Sequence, residues 1–266
     1  QDGCGRYTKY QLGTLPITKR TYDHGLLTRM VTEGLQDLEM RWESGTADLT
    51  SRWDRRHELK ETFEYDALDR LISNSALSVD MYGNTVAIIS GNHFVYDGTT
   101  GQSRGNLEVK EDIGIMKYYA NRPYGAYNIN YPTPPADPPS VISLETQAIT
   151  YTSFHKAGAM TEVVDGQGYD LSYTYGVDHE RITGVLSVQG TPQETRTYVG
   201  NYEKQVLGSN TRELHYVSGG DGLCAILVTT NGVTKPYVVF KDHLGSIVSV
   251  VHNTGTTWTT VAEQSF

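Results

Sequence analysis

Two cysteines, Cys4 and Cys224, are the only thiols among 266 residues. They lie far apart and neither sits in metal-ligand spacing. The sequence therefore supports no disulfide framework, and the two read as unrelated thiols. Phenylalanine is scarce, at five residues. Helical periodicity is almost absent: residues 31–42 contain Leu35 and Leu38, yet Leu38, Met40 and Trp42 alternate more cleanly as a strand. No stretch approaches the roughly 20 apolar residues of a membrane-spanning helix, and the first residues do not read as a signal peptide. Clustered positive charge is missing too. The 22 basic residues face 31 acidic ones, a net charge of −9, which argues against a nucleic-acid-binding surface. The run Arg52-Trp53-Asp54-Arg55-Arg56 is short and interrupted, and reads as a solvated turn.

What is abundant is tyrosine, at 19 residues, and glycine, at 27. Tyrosine suits half-buried sheets, where the ring is covered and the hydroxyl reaches water or a partner. Periodic aromatics between glycines are a cue for repeated β-units. In "TFEYDALDRLIS", Phe63 and Tyr65 share one face of a strand, Ala67-Leu68-Asp69 forms a three-residue reversal, and Arg70 begins the return with Leu71 and Ile72. Asp66 and Arg70 are expected to approach each other, with Tyr65 packed near Leu71. The competing reading is a plain hairpin with solvated charges.

Period two continues through Leu171, Tyr173 and Tyr175, through Ile149 and Tyr151, and through Leu214 and Tyr216. In "AILVTTNGVTKPYVVF", Asn231-Gly232 predicts a type I′ hairpin turn because both central residues need positive φ. Pro236 marks an unpaired edge or a bulge in the second arm. Tyr-Asp recurs at 22–23, 65–66, 96–97 and 169–170, surrounded by hairpin variants such as "YGVDHERI" and "YDHGLLTRM". Five of the nine prolines fall in "YPTPPADPPS", an extended segment unable to donate in a ladder. The predicted organisation is hairpins over 1–131, a proline-rich surface loop over 132–140, and further hairpins over 141–266.

Several constellations invite chemistry. Asp242, His243 and Ser246 supply the residue types of a hydrolase triad, but neighbours on a strand point to opposite faces. "KDHLGSIV" reads better as strand, turn, strand, with Gly245 supplying positive φ. Glu108, Glu111 and Asp112 lack a calcium-loop pattern, and the glycine-acid segments "DGQGYD" and "GGDG" read as turns. The eight histidines are scattered, and no dinucleotide or phosphate-binding loop is present. No catalytic, cofactor or metal residue is expected. Trp42, Trp53 and Trp258 are the candidate glycan contacts, since indole rings on a β-surface can stack on sugars. Tyrosine ladders between strands are the competing reading.

"EYDALDRLIS", "YTYGVDHERI", "RTYVGNYEKQV", "LHYVSGGDGLCAI" and above all "YVVFKDHLGSIVSVV" resemble the Rhs/YD-repeat proteins, in particular their repeat-associated core region. "DIGIMKYYANRPYGAYNI" is similar to a bacterial, Bacteroides-like form. The resemblance covers most of the chain, and the Asp242-His243-Leu244-Gly245-Ser246 block is its most specific motif. It implies an all-β fold: a curved antiparallel sheet of successive hairpins, part of a spiral shell that encloses a C-terminal toxin domain. Relatives include cocoon-forming components of insecticidal toxin complexes, Rhs effectors, wall-associated proteins and teneurins. The implied role is non-enzymatic, in a secreted or cell-surface protein. The implied partners are the remaining shell and a toxin domain, and surface adhesion or carbohydrate binding is the alternative. The family's self-cleaving aspartates follow the Asp242–Ser246 block in a segment absent before Phe266, so the chain is expected to be a fragment. Tyr65, Asp66, Arg70, Leu71, Asn231, Gly232 and the five residues 242–246 are expected to be structural.

Overall fold

The computed structural model describes residues 1–97, 105–119, 122–132, 144–255 and 257–264. Among these, every regular element is a strand. The first seven are β1 (Lys9–Tyr10), β2 (Thr18–Asp23), β3 (Leu26–Thr32), β4 (Gln36–Trp42), β5 (Leu49–Asp54), β6 (Leu59–Tyr65) and β7 (Leu71–Val79). Next come β8 (Thr85–Tyr96), β9 (Leu107–Lys110), β10 (Gly114–Tyr119), β11 (Arg122–Pro132), β12 (Leu144–Tyr151), β13 (Ala157–Val164), β14 (Gln167–Tyr175) and β15 (Arg181–Val188). The last are β16 (Thr191–Val199), β17 (Tyr202–Leu207), β18 (Asn210–Gly219), β19 (Gly222–Thr230), β20 (Val233–Lys241), β21 (Ile247–Asn253) and β22 (Trp258–Glu263). Strands pair antiparallel with their sequence neighbours, from β1 through β7, from β8 through β18 and from β20 through β22, as in β2–β3, β6–β7, β13–β14 and β20–β21. The all-β hairpin fold expected from period two is the one observed. Most of the proline-rich loop, and Phe266, lie outside the described residues.

The chain divides into two compact units. One comprises Gln1–Asn92, Tyr216–Leu227 and Lys235–Phe266; the other comprises His93–His215 and Val228–Thr234. In the first, Met30, Leu38, Met40 and Leu49 form one buried cluster, and Leu15, Leu35, Val238, Phe240 and Val251 another. Leu38 and Met40 fall two apart on one face of β4, and Leu38 sits opposite Met30 in the β3–β4 register. Each such side chain contributes roughly 1.5–3 kcal/mol on full burial. In the second unit, apolar side chains on successive strands line up across the sheet, as Met160, Leu171 and Leu186 do in register.

One loop recurs with the same internal wiring. Six five-residue connections start at Asp2, Asp66, Asp80, Thr152, Gly176 and Asp242. In each, the first N–H donates to the fifth carbonyl and the fourth N–H to the first carbonyl. The fourth residue has positive φ every time: Gly5, Asp69, Gly83, His155, His179 and Gly245. Where the first residue is Asp, its Oδ1 accepts the N–H groups of the third and fifth residues. Its Oδ2 then takes the fifth side chain: Arg6 at 2.7 Å, Arg70 at 2.7 Å and Asn84 at 2.9 Å. The expected Asp66–Arg70 approach is thus present, and Tyr65 faces Leu71. At Gly176 the roles are exchanged. Glu180, the fifth residue, turns its carboxylate into the space an aspartate would fill and accepts the Asp178 N–H at 3.1 Å.

The four Tyr-Asp pairs, by contrast, are not equivalent, which corrects the expectation of one repeated hairpin. Tyr22-Asp23 leads into a two-residue His24-Gly25 turn, and Tyr169-Asp170 lies in the middle of β14. What repeats is an aromatic latch. Tyr65 sits at a register shift opposite Leu71, and its hydroxyl donates back to the Leu49 carbonyl at 3.1 Å. Leu49 faces Trp42, whose indole N–H donates to Leu27 at 2.8 Å, and Leu27 faces Tyr22. The second unit repeats the series. Tyr175 donates to Ala157, which faces Tyr151; Tyr151 donates to Ala126, which faces Tyr118; Tyr118 donates to Leu107. Each latch satisfies a carbonyl where the shift disturbs the ladder. Phenylalanine cannot do this, which explains why tyrosine holds these positions.

Candidate functional site

The Asp242–Ser246 loop is where this wiring departs from pattern. Its fifth residue, Ser246, is too short to reach the second carboxylate oxygen of Asp242. That oxygen accepts instead from Nη1 of Arg52 on β5, at 2.6 Å. Arg52 also binds Glu61 on β6, through Nε at 2.7 Å and Nη2 at 2.6 Å. All three residues are buried. Burial pushes the Glu61 carboxyl above its ordinary value against the pull of the Arg52 guanidinium. The Gln36 side chain adds a second tie, donating to the Lys241 carbonyl at 2.9 Å. The loop is therefore anchored to β4, β5 and β6.

Gly245 has φ of 91°, as the strand-turn-strand reading requires. The two oxygens of Asp242 accept from Leu244, Ser246 and Arg52. The Nδ1 atom of His243 is buried without a hydrogen-bond partner, and its ring lies edge-on to Trp42, centroids 5.6 Å apart. Leu244 is exposed. Asp242, His243 and Ser246 are thus close in sequence yet wired as a loop anchor, not as acid, base and nucleophile. Burial, followed by the nearby Arg52 charge, holds the His243 imidazole below its ordinary range despite Asp242.

Arg52 and Glu61 were not singled out by the sequence, and the run at 52–56 is a solvated turn only at its end, where Arg55 and Arg56 follow β5 and Arg56 is exposed. Arg52 and Trp53 lie in β5 at 6% exposure each, because that strand is covered on both faces. Nothing local in the sequence points from Arg52 to a carboxylate 190 residues away. Trp53 cannot serve as a sugar-stacking platform: it is buried, and Arg55 covers its ring at 4.0 Å. Trp42 is half-buried, bonded to Leu27 and set against His243, and Trp258 is half-buried against the Leu15 cluster. The Asn231-Gly232 turn has φ of 52° and 76°, as predicted. The β20–β21 register begins at Tyr237, just past Pro236, whose carbonyl faces His252 Nδ1 at 2.8 Å.

A second charged cluster joins β5 and β22. His57 lies between Asp54 at 2.8 Å and Glu263 at 2.9 Å, and Arg56 meets Glu263 at 3.0 Å. The hydrogen bond to Asp54 and the pull of both carboxylates hold His57 above its ordinary range. A cavity of about 280 Å³ opens beside it, with the unpartnered hydroxyl of Ser249 on its wall. In "GGDG", the Asp221 carboxylate is taken by Arg20.

No family model matches the sequence, and no curated protein does. Solved structures do match in fold. The crystal structure of TcdB2-TccC3 without its hypervariable C-terminal region aligns with a TM-score of 0.60 at 15% identity, covering 94% of this chain and 14% of that one. The crystal structure of TcdB2-TccC3-Cdc42 gives 0.54 at 14% identity, covering 93% and 15%. That of TcdB2-TccC3-TEV gives 0.53 at 14% identity with the same coverage. This chain thus corresponds to 14–15% of the length of those chains. It has an Rhs-like β-hairpin fold, similar to part of TcdB2-TccC3.

Proposed function

We propose that this chain is a wall segment of an Rhs/YD-type shell, without chemistry of its own, which helps to enclose and deliver a toxin domain. The observation that carries this reading is the serial locking of hairpins. Six connections close with the same loop wiring and successive hairpins in each unit are latched to the one before, within a fold like that of TcdB2-TccC3 over more than nine-tenths of the chain. A wall needs what these parts supply: antiparallel strand pairing and side chains packed across neighbouring strands. The Asp242 block supports a structural role, because its carboxylate is consumed by the loop and by Arg52. On this reading the partners are the rest of the shell and the enclosed domain, and the protein acts outside the cell.

Limited proteolysis of the full-length protein tests the proposal. A C-terminal domain held behind the wall resists protease until the hairpins are unfolded by denaturant. If that domain is digested as fast as the same domain expressed alone, the containment reading is overturned.

A further inference from the structure

The imidazole of His57 is engaged at both ring nitrogens. Nδ1 meets Asp54 Oδ2 at 2.8 Å, and Nε2 meets Glu263 Oε2 at 2.9 Å. An ionised carboxylate only accepts hydrogen bonds, so both nitrogens can donate at once only in the imidazolium. A neutral imidazole carries one N–H, and its other nitrogen turns a lone pair toward an oxygen anion. One of the two bonds is then given up. The Asp54 bond joins residues three apart in the turn that follows β5. The Glu263 bond crosses to β22, and breaking it requires no change within that turn. Glu263 and Gln264 lie on the wall of the 280 Å³ cavity, together with Leu35, Leu38, Leu59 and Val248. On its other side β22 is paired with β21, and Gln264 bonds back to Val248 and Ile247. Toward β5 the end of β22 is held by Glu263, through Arg56 at 3.0 Å and through His57.

We propose that His57 is a proton-operated fastener. As imidazolium it straps the end of β22 to the turn after β5 beside this cavity, and as neutral imidazole it keeps Asp54 and lets Glu263 go. The charged groups lining the cavity among the described residues are Asp54, Arg56, His57 and Glu263. The hydrogen bond to Asp54 acts most strongly on the ring and favours its charged form, against burial. The charges of Asp54 and Glu263 add to that pull, and Arg56 opposes them. The net direction is upward, so the strap is closed below pH 6.5 and opens as pH rises through the raised folded value. Arg56 keeps Glu263 in both states, so opening loosens the end of β22 without detaching it. This inference does not rest on the shell reading, and its failure would leave that reading untouched.

The test is a series from about pH 5 to about pH 9 on the 266-residue chain. It reads the ring nitrogen-15 shifts of His57, and the hydrogen exchange of β22 amides corrected for its intrinsic pH dependence. At the acid end both ring nitrogens are expected to be protonated, and at the alkaline end Nδ1 alone. Through the same transition the β22 amides are expected to lose about threefold in protection, the scale of one partly exposed charged bond, while those of β3–β6 hold theirs. Glu263→Gln removes the charge but leaves an amide that can bond the ring in either state. It is expected to lower the His57 transition and to abolish the pH dependence of β22. A neutral ring protonated at Nε2 overturns the proposal, because Glu263 would then be the partner retained. So does β22 protection that stays level through the His57 transition, or a pH dependence that survives in Glu263→Gln.

Discussion

Arg52 neutralises two buried carboxylates, Glu61 and Asp242, at 2.6 Å each. Removing it leaves both without their cation. Arg52→Met is expected to lower the free energy of unfolding by about 3–5 kcal/mol, measured by urea denaturation. Asp66→Ala, in the solvent-facing version of the same loop, is expected to cost clearly less. If the two variants lose equal stability, the triad is not the anchor described. Two histidines near this anchor carry opposite pH signatures. His57 is held above the ordinary 6.5 by Asp54 and Glu263, so its contribution is full below pH 6.5 and fades as pH rises through its folded value. His243 is pushed below 6.5 by burial, so its contribution is full above 6.5 and fades as pH falls. Melting temperatures between about pH 5 and 8 are expected to fall less steeply on the alkaline side in His57→Gln, and less steeply on the acid side in His243→Phe. The sequence made Gly245 and the Asn231-Gly232 turn legible because φ preference is local. It could not show Arg52, whose partner is set by the fold, and it hid the burial of Trp53 because charged neighbours suggest solvent.

At the scale of the hairpin, the five-residue loop is a small hydrogen-bonding code whose parts are interchangeable. Asp at the first position pairs with Arg or Asn at the fifth, whereas Gly176 pairs with Glu180, and a Cβ at Gly176 would lie 1.9 Å from the Glu180 carboxylate. Gly176→Asp alone is therefore expected to destabilise by steric conflict and by placing two carboxylates together. Adding Glu180→Arg rebuilds the Asp66–Arg70 arrangement and offsets the loss, with a coupling of about 1 kcal/mol or more in a double-mutant cycle. Additive effects of the two changes would show that the loops are not one motif. The latches are the second element. Tyr65→Phe removes the bond to the Leu49 carbonyl and is expected to cost about 1 kcal/mol by the same denaturation measurement. "TFEYDALDRLIS" and "YGVDHERI" were legible as hairpins because alternation and turn chemistry lie within a dozen residues. The latches were not legible, since a tyrosine hydroxyl reaching a carbonyl 11 to 25 residues away leaves no fixed spacing. Tyr-Asp proved a poor marker for the same reason: Tyr169-Asp170 has the letters without the turn.

Across the molecule, burial is uneven. The first unit holds two apolar clusters and the ion triad, with Leu15, Met30, Met40, Val79 and Val251 almost fully buried. Among the described residues of the second unit, Ile149 and Val228 are the buried apolar side chains, each at 9% exposure. The second unit therefore depends on ladder bonds, latches and half-covered rings, such as Phe154 stacked on His179 and Arg181 over Tyr173. Such contacts act between neighbouring strands only, and a stack held this way loses its hairpins at lower free energy than a strand fixed from both faces. Total unfolding is expected to be non-coincident. In hydrogen exchange under rising urea, amides of β12–β17 are expected to lose protection before those of β3–β6, and Arg52→Met is expected to narrow the gap by weakening the first unit alone. A single cooperative loss across both sets of strands, unchanged in that variant, would mean that the apolar clusters do not set the order of stability.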